Sequence, residues 1–159
     1  MQIIVKLRHL FLKVFGSWIP RKWQPDILLP AVCVLVVNRD GKVLAVSRKN
    51  DPTAFGLPGG KVDLNWYGRP IETYEEAIRR ETREETGLEL GDLCILYVGT
   101  AEQEFWTVCY VSVVRGQIHT TEAGRVAWVG WDAILNGPFG VYNWRVKEMY
   151  DSLKSEKTK

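Results

Sequence analysis

The chain has 159 residues, 46% hydrophobic and 25% charged, with 21 Lys and Arg against 19 Asp and Glu for a formal net charge of +2. That length suits one compact domain, and the balance excludes a disordered or membrane-embedded chain. So small a net charge excludes bulk attraction to nucleic-acid polymers or acidic membranes, and a small anionic ligand would need a local site.

Residues 1–26 read as an N-terminal extension in which Ile3, Ile4, Val5, Leu7, Leu10 and Phe11 alternate with Lys6, Arg8 and Lys13. The extension lacks the unbroken apolar segment and cleavage site of a signal peptide, and falls short of the roughly 20 apolar residues of a spanning helix. The expectation is a cytoplasmic protein whose extension covers an apolar face or makes a homodimer contact, with interfacial membrane attachment as the alternative. Three cysteines, Cys33, Cys94 and Cys109, sit in apolar runs and read as reduced core residues. With only His9 and His119, no zinc-ligand spacing exists, so any metal must be held by oxygen.

The folded domain is expected over residues 27–153, with a frayed tail at 154–159. Ala31 to Val37 reads as a strand, Asn38-Arg39-Asp40-Gly41 as a turn, and Lys42 to Ser47 as the returning strand of a hairpin. Asp51 to Pro70, dense in Pro and Gly, is expected to be loop. Thr73 with Glu76 forms a capping box, helix formers run to Glu85, and Gly87 suits a helix stop. Leu88 to Val98, Glu104 to Val114 and Arg125 to Trp131 read as strands. Asp132 to Leu135 reads as a helical turn, and Tyr142 to Leu153 as a last helix with Val146, Met149, Tyr150 and Leu153 at helical spacing. Trp128, Trp131 and Trp144 are assigned to the core. The order is mixed α/β.

On the first helix, Glu81, Glu84 and Glu85 stand at i, i+3 and i+4 and share one side. Like charges so spaced repel, so a cation is expected against them: Arg79, Arg80, Arg83 or a divalent metal. A charge run alone is most simply a solvated helix face. Here it follows Leu57-Pro58-Gly59-Gly60-Lys61, whose glycines let backbone oxygens approach the carboxylates. An all-oxygen ligand set suits magnesium.

Gly60, Glu72 and the run Arg80 to Leu88 resemble the signature of the Nudix family, G-x5-E-x7-R-E-U-x-E-E-x-G-U. Glu72, Arg80, Glu81, Glu84, Glu85, Gly87 and Leu88 stand in place, while Thr82 replaces the usual aliphatic residue. Between Gly60 and Glu72 lie eleven residues where the signature has five, so the loop at Leu64 to Ile71 carries six extra and is expected to bulge outward. The resemblance covers about Ile27 to Leu153 and implies an α/β/α sandwich with a mixed β-sheet. It also implies magnesium, with manganese as a substitute, held by Glu81, Glu84, Glu85 and the Gly59 carbonyl. Arg80, paired with Glu72, would orient the carboxylates.

The same resemblance makes Glu122 the candidate general base, with Glu102 and Glu104 as competitors and an ordinary turn glutamate as the alternative. Arg48 is a candidate for phosphate or a solvated strand end. One of Phe55, Trp66 and Tyr67 is a candidate base-stacking ring, the others loop anchors. Asn143 is either a reader of a purine edge or a helix N-cap. The implied activity is hydrolysis of a nucleoside triphosphate, modified or oxidised in some members, to the monophosphate and pyrophosphate. The implied partner is thus a small nucleotide. Competing readings are a hydrolase of dinucleoside polyphosphates or nucleotide sugars, for which Phe105 and Trp106 stand near a position of interest, and a non-catalytic nucleotide-binding module.

Overall fold

The computed structural model describes residues 28–66, 68–101, 105–119 and 124–156. The N-terminal extension, Tyr67 and the general-base candidates Glu102, Glu104 and Glu122 lie outside the described residues.

The elements run β1 (Leu29–Leu35), β2 (Val43–Arg48), β3 (Asp51–Gly56), β4 (Gly59–Lys61), α1 (Tyr74–Thr86), β5 (Glu89–Leu90), β6 (Cys94–Ala101), β7 (Phe105–Val111), β8 (Val114–Arg115), β9 (Val126–Val129), α2 (Trp131–Leu135) and α3 (Gly140–Glu156). The strands form a sheet ordered β4-β1-β7-β6, a second ordered β3-β2-β9, and the small pair β5-β8. β1 and β7 run parallel and every other pair is antiparallel, so the larger sheet is mixed. The fold is the expected α/β type. No helix among the described residues is long and apolar enough to cross a membrane.

Alternation sorts the core into two layers. On β1, Val32 and Val34 face α1 and pack with Val62, Ala77, Ile78, Leu88 and Tyr110, while Cys33 and Leu35 face Ala45, Ile134, Tyr142 and Val146. The α1 boundary is set by the capping box, in which Thr73 Oγ1 accepts from Glu76 N–H at 3.1 Å and Glu76 accepts from Thr73 N–H at 2.7 Å.

Several expectations are corrected. The predicted hairpin closes only at its turn: Asn38 N–H donates to Lys42 at 2.9 Å and Leu44 N–H to Val36 at 3.0 Å, after which β1 and β2 diverge into different sheets. Both edges of β1 are taken by β4 and β7, which leaves β2 to pair with β3 and β9. The Pro- and Gly-rich stretch, read as loop, contains β3 and β4, which lie at sheet edges where a missing donor is tolerated. The strand expected over Leu88 to Val98 breaks at Gly91 to Leu93. That over Glu104 to Val114 breaks at Ser112, whose hydroxyl donates to Asp92 at 2.8 Å.

The last helix begins at Gly140 rather than Tyr142 and continues through Lys154-Ser155-Glu156, residues expected to fray. Trp144 and Cys94, both assigned to the core, are exposed, Trp144 on α3 and Cys94 at the first position of β6. Met149 and Leu153 are also largely exposed.

Candidate active site

The glutamate face of α1 lies beside β4, and Arg80 organises it. Its Nε and Nη2 grip the Glu72 carboxylate at 3.1 and 2.7 Å, Nη1 reaches Glu81 at 2.9 Å and Glu84 at 3.3 Å, and Nη2 also donates to the Lys61 carbonyl at 3.1 Å. One planar guanidinium thus fixes three carboxylates, which a lysine ammonium cannot do with the same geometry. The Arg80 bond holds the Glu72 carboxyl below the usual range, and the reciprocal bond raises Arg80. The other candidate cations point elsewhere: Arg79 donates to the Leu90 and Gly91 carbonyls at 2.7 and 3.0 Å, and Arg83 pairs with Glu89.

The long loop is a self-closed hairpin, and this explains how six extra residues leave Glu72 in register with Arg80. Asn65 N–H donates to Arg69 at 2.8 Å, Leu64 bridges Pro70, and Ile71 N–H donates to Asp63 at 3.0 Å, so the chain returns to its point of departure. Asp63 N–H then donates to Glu72 at 2.7 Å.

The two glycines of β4 let the helix come close. A Cβ on Gly59, at φ 154°, would lie 2.2 Å from the Val32 carbonyl oxygen, and one on Gly60 would lie 2.4 Å from the Glu81 carboxylate. Bonds from Val34 N–H to Pro58 and Val62 N–H to Pro30 put Gly59 opposite Cys33 at a non-hydrogen-bonded position, leaving its N–H and carbonyl outside the ladder with β1. That N–H donates to Glu85 Oε2 at 2.9 Å. Burial is the main cause pushing the Glu85 carboxyl up to about 7; the Gly59 bond opposes it and the charges of Glu81 and Glu84 add to it. Burial likewise raises Glu81 against the pull of Arg80.

Two half-buried carboxylates beside an exposed third, with a glycine cradle at Gly60, form an all-oxygen donor set that fits magnesium or manganese. As the side chains stand, no three acidic, His or Cys groups among the described residues are gathered closely enough to hold an ion. Arg80 engages Glu81 and Glu84, and the Gly59 N–H engages Glu85.

From Glu85, Gly59, Gly60 and Lys61 a cavity of about 380 Å3 runs between the sheets to Thr107, Phe139, Tyr142 and Asn143. Arg48 lies on its wall with its guanidinium 4.9 Å from the centre of the Phe139 ring. Asn143 also lines it, but it sits inside α3 and caps nothing; it is 2% exposed, and its Nδ2 donates to the Ile134 carbonyl at 3.1 Å. Phe55 packs into the core and Trp66 stands 83% exposed, and neither lines the cavity. Lys61, Thr107, Phe139 and Tyr142 were not singled out from sequence. The one available signal was a lone threonine facing inward in the apolar run of β7.

The model of the NUDIX domain matches residues 28–150. An ADP-ribose pyrophosphatase of Methanocaldococcus jannaschii is 47% identical over 64 residues, 38% of this chain and 34% of that protein. An RNA pyrophosphohydrolase of Halorhodospira halophila is 39% identical over 71 residues, 45% of this chain and 35% of that one, so the chain spans about a third of the length of these curated relatives. The crystal structure of a MutT protein from Methanosarcina mazei Go1 superposes with a TM-score of 0.55 at 25% identity, over 83% of this chain and 96% of that one. With the glutamate face, the glycine pair and the arginine that orients them all on one matched domain, the chain belongs to the Nudix family.

Proposed function

We propose that the protein is a magnesium-dependent hydrolase that adds water across the phosphoric anhydride of a nucleoside triphosphate, releasing the monophosphate and pyrophosphate. The observation that carries this reading is the continuity of one cavity from Glu85, Gly59 and Gly60 to the inner residues Thr107 and Asn143. A ligand with a phosphate chain at one end and a ring at the other matches that layout. Glu81, Glu84 and Glu85, with the Gly59 carbonyl, would hold the metal, and Arg80 would keep them aimed. When bound, magnesium neutralises phosphate charge and lowers the pKa of a bound water. Lys61 and Arg48 add positive charge along the path of the phosphates.

The stretch 47% identical to an ADP-ribose pyrophosphatase supports a second reading, in which a nucleoside diphosphate sugar is cleaved at the same site. Against it, Glu102, Gln103 and Glu104 stand in the region where a proline marks ADP-ribose-type members. A screen of pyrophosphate, phosphate and nucleoside monophosphate release from triphosphates, oxidised nucleotides, ADP-ribose and diadenosine polyphosphates, with and without magnesium, tests both. Pyrophosphate from a triphosphate is the expected result; cleavage of ADP-ribose alone would favour the second reading, and no turnover of any compound would leave a binding role.

A further inference from the structure

Among the described residues, two buried side-chain polar atoms lack a hydrogen-bond partner, Thr82 Oγ1 and Thr107 Oγ1. Thr82 lies in the packing beneath α1, where the family's usual residue is aliphatic. Thr107 is different, because it is 5% exposed and lines the cavity.

Its position follows from strand register. Lys61, Ala31, Thr107 and Gly99 form one row across β4, β1, β7 and β6, of which the first three line the cavity. Neighbouring strands are spaced by about 4.8 Å, so Thr107 stands two strands, or roughly 10 Å, from the glycine strand that carries the glutamate site. Ala31 on the near side contributes only a methyl group. On the far side the Tyr97 hydroxyl end fills the space over Gly99, and its ring lies 5.2 Å from that of Tyr142. Of the other polar groups at this end, Tyr142 donates to the Thr107 carbonyl at 3.2 Å, and Asn143 Nδ2 donates to Ile134 at 3.1 Å. The Thr107 hydroxyl, able both to donate and to accept, is left without a partner. Its oxygen is shut off from solvent although the residue lines the cavity beside Phe105 and Phe139, so a ligand there meets the hydroxyl once Thr107 turns about its Cα–Cβ bond.

A buried hydroxyl without a partner is unfavourable unless something supplies one. We infer that Thr107 is a specificity-determining residue whose hydroxyl hydrogen-bonds the polar edge of the substrate's nucleobase, the ring lying in the cavity while the phosphates extend to the glutamate face. This rests on the nucleotide reading above but is separable from it, because it concerns binding.

The test is calorimetric binding of AMP, GMP, CMP, UMP and inorganic pyrophosphate to the full chain with magnesium, for wild type, Thr107→Val and Thr107→Ser, beside melting without ligand. Thr107→Val, nearly isosteric, is expected to weaken the preferred monophosphate about tenfold, the size of one hydrogen bond, and to leave pyrophosphate unchanged. Thr107→Ser should recover wild-type affinity within about threefold, and ligand-free Thr107→Val should melt no lower than wild type. Unchanged affinity and base order in Thr107→Val, or no nucleotide bound by wild type, would overturn the inference. If wild type binds with a Thr107-dependent preference yet turns nothing over, the hydrolase reading fails and this one stands; turnover that ignores Thr107→Val has the opposite meaning.

Discussion

The two ends of the cavity differ in how their polar groups are satisfied. At the glutamate end, Glu72, Glu81, Glu84 and Glu85 all accept bonds from Arg80 or Gly59 N–H before any ligand arrives. At the inner end, Thr107 Oγ1 accepts and donates to nothing. The carboxylates of the glutamate end are thus held by donors of the fold itself. The inner end keeps a hydroxyl whose hydrogen-bonding capacity nothing among the described residues uses.

The comparison breaks most severely through Gly59. A side chain there meets the backbone of Val32 and Cys33, which cannot yield as a flexible side chain can, so Gly59→Ala is expected to lose about 3 kcal/mol of stability in denaturant unfolding. Next comes Arg80→Lys, which keeps the charge but loses the fork; turnover should fall by about 10 to 100-fold with little change in melting, while Arg83→Lys, whose partner is Glu89, should be near wild type. Gly60→Ala displaces only the end of the Glu81 side chain, so the fold survives and the magnesium concentration for half-maximal turnover rises by about tenfold.

A smaller effect sharpens the electrical side of the comparison. In the metal-free protein the native state holds the Glu85 proton up to about 7, above the 4.5 of an ordinary glutamate. The native state therefore binds the proton more tightly than the unfolded chain. Its contribution to stability is full below about 4.5 and is lost as pH rises through about 7. Glu72, whose carboxyl is lowered, behaves oppositely, contributing above its ordinary value and losing that contribution as pH falls below it. Unfolding of metal-free protein between pH 5 and 8 should slope downward, and Glu85→Gln should flatten the slope. The smallest effect is at Thr82: Thr82→Val removes an unpartnered hydroxyl from an apolar contact and should add about 1 kcal/mol of stability without altering turnover.

The chemistry end was legible because its information is local. Glu81, Glu84 and Glu85 share a helix face by spacing alone, Thr73 and Glu76 mark the helix start, and the Arg80 to Glu72 pairing follows from a matched motif. The long loop could be read as a bulge because the motif resumes intact beyond it. What sequence could not give was set by pairing at a distance. The strands β3 and β4 contain Pro52, Gly56, Gly59 and Gly60, whose local preference is for turns, and exist because β2 and β1 offer them edges. Asn143 looked like a cap because Gly137 and Pro138 precede it, but the helix begins three residues earlier. Thr107 became visible only when register set it across from Ala31 and Gly99.

If the glutamate face of α1 is the catalytic metal site of a hydrolase, turnover must depend on both magnesium and these carboxylates. The most direct test is nucleotide turnover as a function of magnesium for wild type, Glu84→Gln and Glu85→Gln, with folding checked by circular dichroism. Magnesium-dependent turnover is expected in wild type, with a loss of at least about 100-fold in both folded variants. Turnover that is independent of magnesium, or that survives in both variants, would contradict it.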